Sequence, residues 1–472
     1  MFTAIIKALS KAVSTLFFNR TLSAQKVSAL WISLSVGSLM LAGFLSIFIM
    51  LGRTPVIFEL INDPHWFKRM LVVHVDLALL VWIYGFLCGI FVLIPQPKSQ
   101  NKQPVTGYLL AITGVLCLLS TIFITSADPI LSNYIPVLNH PIFIIGIILL
   151  AGGVGITLFN RRLFAYPPLL HRPFVLPASA IPGLQSATVI FLFSLIVFIS
   201  AWFSTTSSLH PETYYEFIIW GGGHLLQFVN IATSATVWLI LLKKLTGKDL
   251  LSYKWSATLF VFFTLPTLAA PLLLFNGTSA PLYIKGFTHY MQWGIFPVIS
   301  VFIILISIHL IRSYKQNNLP PILLRSPSFN GLVLSILFII LSFILGALID
   351  GANTIVPAHY HASLGGITIA FMVAIYLLMD SYHFPVASEK IERWSALQPL
   401  LFGVGQFIFV SGLAYAGTYG LARKVFGSEQ HISSVEVFTG LSLLFLGGTL
   451  AIAGGILFFW IVLKRWEAYQ QR

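Results

Sequence analysis

Twelve apolar runs, each long enough to cross a bilayer as a helix, divide this chain almost from end to end. They lie near residues 29–51, 69–94, 105–126, 140–159, 183–205, 215–242, 254–275, 286–312, 327–349, 355–380, 395–420 and 437–463. A bilayer interior offers no water to the backbone, so such runs fold as helices whose N–H and C=O groups pair within each run. Only 9% of the 472 residues are charged, against roughly a quarter in a soluble domain. The expectation is an all-α polytopic membrane protein of about 12 transmembrane helices, with a leader over 1–28, a single membrane domain over 29–463 and a tail over 464–472.

The net charge of +13 would suggest nucleic acid if it sat on a soluble domain, but its placement points to a membrane instead. With the N-terminus inside, 21 of the 27 Lys and Arg fall in inner segments and six in outer ones. That is the positive-inside pattern, and an even number of spans puts both termini in the cytoplasm of a bacterial-type inner membrane. Residues 1–28 carry Lys7, Lys11, Arg20 and Lys26 without the apolar core of a cleavable signal, and are read as a cytoplasmic leader. Cys88 and Cys117, the only cysteines, both lie within spans, which excludes a disulfide framework, an iron–sulfur cluster and a covalently attached c-type haem. The chain has no Gly-rich phosphate loop, which argues against an ATP-driven transporter.

Topology makes depth readable, and five histidines from four spans then fall in one layer toward the outer side: His74 on the second, His224 on the sixth, His289 on the eighth, and His359 and His361 on the tenth. Polar side chains at this depth are costly unless paired. His359 and His361 are two residues apart, about 200° of helical rotation, so their imidazoles leave opposite flanks and cannot easily grip one small ion. They are either two buried histidines bonded to neighbouring helices or ligands of two separate large groups; imidazole is a common axial ligand of haem iron. His140, at the start of the fourth span, reads as a cap, and His65, His171, His210, His383 and His431 read as loop residues.

The stretches Val73-His74-Val75-Asp76, Gly223-His224, Ala358-His359-Tyr360-His361 with Gly365-Gly366, and Gly420-Leu421-Ala422-Arg423-Lys424 resemble the haem-copper oxidase superfamily, specifically its catalytic subunit I, over essentially all twelve spans. The resemblance implies a low-spin haem held by His74 and His361, a high-spin haem held by His359, a second metal, copper or non-haem iron, held by His224, and haem propionates neutralised by Arg423 and Lys424. It implies a respiratory terminal reductase passing electrons from the low-spin haem to the high-spin centre, with O2 or NO as substrate. Either a partner subunit or cytochrome c would supply the electrons.

Departures from the family pattern bear on the second metal. The outer end of the seventh span reads Leu268-Ala269-Ala270-Pro271-Leu272-Leu273, where the family supplies two histidines, and Phe228 stands where it often has a tyrosine. His289 is the replacement ligand at a suitable depth, with Tyr290, Gln227 and Asn230 as further donors. His210-Pro211-Glu212-Thr213-Tyr214 copies a family string but precedes the sixth span, and is read as a helix start. Thr233, Ser234 and Thr236 offer a polar path on that span, while Asp76, Glu216 and Asp350 are outer carboxylates. The alternative function is a non-catalytic di-haem electron conduit or gas sensor that has lost the second metal.

Overall fold

A computed structural model describes residues 22–54, 64–96, 101–166, 176–386, 388–425, 430, 432 and 434–471. His171, His431 and the first 21 residues of the expected leader lie outside these. Among the described residues twelve helices are long and apolar enough to span: α1 Ala24–Leu51, α2 His65–Phe91, α3 Lys102–Phe123, α4 Pro141–Leu158, α5 Ala178–Ser204, α6 Pro211–Thr246, α7 Tyr253–Leu274, α8 Pro281–Lys315, α9 Pro327–Ala347, α10 Ile355–Ser381, α11 Glu389–Thr418 and α12 Val435–Gln470. The first and last run past the expected boundaries, α1 starting inside the 1–28 segment and α12 continuing through most of 464–472.

Local chemistry sets the helix starts. Ser23, Ser252, Ser326, Ser388 and Ser434 each accept the backbone N–H three residues on, and Pro141, Pro211, Pro281 and Pro327 open helices where the missing N–H costs nothing. Burial sorts the spans: α2, α6 and α10 are the most enclosed, and α8, followed by α1 and α7, the least. The candidate ligands His74, His224, His359 and His361 all sit on the enclosed three. Arg162 donates to the carbonyls of Val92 and Ile94 at 3.0 and 3.1 Å and to Asn101 at 2.8 Å, tying the ends of α2, α3 and α4 together.

Two features were not legible in the sequence. Inside α2 the residues Leu77–Val81 form a π turn, which changes the angular relation between His74 above it and Trp82 below it. In the loop between α3 and α4, β1 (Asp128–Ile130) pairs antiparallel with β2 (Val137–Asn139). Strands this short leave almost no alternating pattern to read.

Helices α11 and α12 pack through glycines, as apolar helices do when dispersion must replace the hydrophobic drive. A Cβ on Gly447 would lie 2.2 Å from the Phe409 amide nitrogen and 2.7 Å from the Gly405 carbonyl oxygen, whereas one on Gly455 of the same helix would meet nothing within 4 Å. Gly447→Ala should therefore destabilise the fold by about 1–3 kcal/mol through overpacking. Gly455→Ala should be neutral or stabilise by up to about 1 kcal/mol from helix propensity. Thermal unfolding in one detergent checks the pair, and equal midpoints would contradict this packing.

Candidate functional site

The lower halves of α2 and α10 touch, with Phe86 stacked on Phe371 at a centroid distance of 4.0 Å. His74 lies 12 residues above Phe86 and His361 ten above Phe371, a rise of about 15–18 Å on each helix. The two imidazoles thus share one level, and His361 lies within electrostatic reach of both His74 and Arg53. Both are half-buried, and Tyr360 between the two tenth-helix histidines keeps 45% of its surface accessible. Tyr360 is itself within reach of Arg53 and Arg423. Accessible surface on ring after ring in one of the most enclosed helices is what a site for a large planar group requires.

Two of the imidazoles, His74 and His359, are aimed by the bond their other nitrogen makes. His74 donates Nδ1–H to the Ala42 carbonyl on α1 at 2.8 Å, and His359 donates Nδ1–H to the Ser342 carbonyl on α9 at 2.7 Å. Such a bond fixes the tautomer and presents Nε2 as a free lone pair, the form in which histidine binds iron. A Cβ on Gly346 would lie 2.9 Å from the His359 ring, so a side chain there would displace it. The His361 ring rests edge-on against Phe409 at 4.9 Å, and its carbonyl accepts from Gln406 at 3.0 Å. His74 and His359 thus each leave Nε2 available, and all three rings of His74, His359 and His361 are only half-buried.

A cationic rim lies beside Tyr360. Arg423 donates to the Asn133 side chain at 3.0 Å, and its backbone N–H bonds to Ala352. Burial lowers the pKa of the Lys424 ammonium, while Glu216 opposes that shift. Arg53, just past the end of α1, joins this rim and was missed in the sequence. Its signal was available, since it is one of only six outer cations.

His224 is 1% exposed and differently placed. It donates Nδ1–H to Trp220 of its own helix at 2.7 Å, and its Nε2 accepts the Tyr134 hydroxyl at 2.9 Å. Tyr134, at the tip of the β1–β2 hairpin, takes a left-handed backbone with φ of 66°. It approaches so closely that a Cβ on Gly223 would lie 2.6 Å from it. Beside it, Asn133 donates its N–H to Glu216 at 2.9 Å and bonds the same carboxylate through its side chain.

The expected second-metal donors do not gather around His224. His289 is exposed, with Nδ1 bonded to Gln292 at 3.2 Å, while Phe287, about 200° away on the same helix, is the residue that faces His224. Asn230 donates to Gln227 at 3.4 Å, and Tyr290 rests beside Phe287. At and just past the C-terminal end of α7, Leu272 and Phe275 are 70% and 90% exposed. Among the described residues no three His, Cys, Asp or Glu side chains are grouped closely enough to hold an ion. A metal bound by His224 and His289 together does not fit this arrangement.

Other expectations resolve individually. His140 caps α4, and His210 stands directly before the start of α6 at Pro211. Thr233 and Thr236 bond back to their own helix, whereas the Ser234 hydroxyl and the Asn230 oxygen are buried without a protein partner. Asp76, read as an outer carboxylate, is completely buried with both oxygens unpartnered.

These features define a twelve-helix membrane protein with histidines converging from its second and tenth helices. Residues 26–451 match the family model described as Cytochrome C and Quinol oxidase polypeptide I, and the chain belongs to that family, the subunit I of haem-copper oxidases. An uncharacterized protein of Rickettsia prowazekii is 27% identical over 91% of this chain and 94% of its own length. Another, from Aquifex aeolicus, is 26% identical over 79% and 89% respectively. A haem-copper terminal oxidase dimer solved by cryo-EM shares the fold with a TM-score of 0.71 at 15% identity, covering 93% of this chain and 84% of that one.

Proposed function

We propose that this chain is the haem-bearing subunit of a membrane respiratory reductase that delivers electrons to O2 or NO. In this reading His74 and His361 hold a low-spin haem, His359 holds a high-spin haem, and Arg53, Arg423 and Lys424 neutralise the haem carboxylates. A bis-histidine iron supplies one-electron transfer, and an iron with a single protein ligand supplies an open position for a diatomic molecule. The observation that carries the reading is the placement of the tenth-helix pair on opposite flanks of α10, with His359 bonded to α9 and His361 within electrostatic reach of His74.

The chain's own groups have distinct tasks in this scheme. The carbonyls of Ala42 and Ser342 hold the imidazoles in one tautomer, each bond contributing about 0.5–1.5 kcal/mol to that orientation. The rim cations compensate carboxylates that would otherwise be desolvated near the outer surface. In this reading, which the Lys and Arg bias supports, the layer lies toward the outside of a bacterial-type inner membrane and both termini lie in the cytoplasm. Electrons then enter from a partner subunit or a soluble cytochrome c.

A second reading, a non-catalytic conduit or gas sensor, is favoured by the donor-free outer end of α7. Consumption of O2 or NO by the purified protein with a reduced cytochrome c or a small-molecule donor separates the two. Turnover that disappears in His359→Ala supports the reductase. Haem-replete protein with no turnover of either gas leaves the conduit.

A further inference from the structure

We infer that the position where the family's second metal would sit is occupied by a metal-free Tyr134–His224 hydrogen-bonded pair. The inference rests on the haem reading above, and it replaces the second metal with groups of this chain.

Both nitrogens of His224 are engaged. Nδ1–H is donated to the Trp220 carbonyl and Nε2 accepts the Tyr134 hydroxyl. A metal at His224 would have to take the Nε2 lone pair and expel the phenol. The phenol is held by construction: its ring lies 4.6 Å from the His224 ring and packs edge-on against Trp220, and the missing side chain at Gly223 makes room for it. A left-handed backbone at a non-glycine residue is strained and persists only where its surroundings enforce it. Here Asn133, the preceding residue, is clamped between Glu216 and Arg423.

Nor would a displaced phenol leave a usable ligand set. Copper and iron sites of this kind need about three donors, and the ring facing His224 from α8 is Phe287, while His289 points away and bonds Gln292. The glycines before His224 also serve aromatic packing: a Cβ on Gly221 or Gly222 would strike Phe287 or Phe198 at 2.7 and 2.5 Å. His224 thus stands in an aromatic cage closed by a phenol, a setting that favours a neutral, hydrogen-bonded imidazole over a coordinated ion.

The test uses full-length protein produced with copper and iron in the medium. Copper, zinc and total iron are measured against haem, and the oxidised protein is examined by electron paramagnetic resonance. The expected result is iron equal to haem, copper and zinc far below one per chain, and a high-spin haem resonance at full intensity, since no paramagnetic neighbour couples to it. His224→Ala should change neither the metal count nor that intensity. One copper or non-haem iron per chain that is lost in His224→Ala, or a high-spin resonance that is suppressed in the native protein and recovered in that variant, would overturn the inference. Haem content is determined in the same samples, so a protein without haem would refute the reading under Proposed function while the metal count still decides this one.

Discussion

His74→Ala and His361→Ala are each expected to abolish the low-spin haem band of the reduced protein while the high-spin signal survives. A six-coordinate bis-histidine iron cannot keep its spin state when one axial imidazole becomes a methyl group. The loss should therefore be complete, and the same from either side, because the two side chains come from different helices and meet at one level. Ala42 contributes only a carbonyl to His74, so Ala42→Ser should leave the band in place. Low-temperature absorption spectra of membranes carrying each variant make the comparison without purification. An unchanged low-spin band in both histidine variants would dismantle the pairing.

His359→Ala is expected to eliminate carbon monoxide binding with the low-spin haem intact. His359 belongs to the other flank of α10, where the Ser342 carbonyl at 2.7 Å sets its tautomer and Gly346 leaves space for its ring. If His359 is the haem's single protein ligand, as proposed, its removal would take away that haem's anchor. A lesser change on the same contact, Gly346→Val, should displace the imidazole and weaken carbon monoxide binding rather than abolish it. Normal carbon monoxide binding in His359→Ala would mean that the roles of the two tenth-helix histidines are misassigned.

Much of this architecture could be read from residue patterns, for physical reasons that particular residues make plain. Twelve apolar runs leave the backbone one way to satisfy itself, so the spans were legible to within several residues, with α1 and α12 running longer than expected. The spacing of His359 and His361 encodes opposite flanks directly, because helical rotation is fixed. His289 shows where that logic stops: depth can be counted along a span, but the azimuth of a helix within the bundle cannot. It lies at a plausible depth yet is exposed, turned away from His224. Tyr134 was invisible for a different reason, since it reaches His224 from a hairpin tip whose strands are three residues each and leave almost no periodic signal. Asp76 was misread because a position near a span's outer end says nothing about what covers it.

The most direct test of the central claim, two haems held by three histidines of this chain, is the haem count of the purified full-length protein together with its carbon monoxide difference spectrum. The account predicts two haems per chain, of which one binds carbon monoxide. A single haem per chain, or carbon monoxide binding by both, would contradict it.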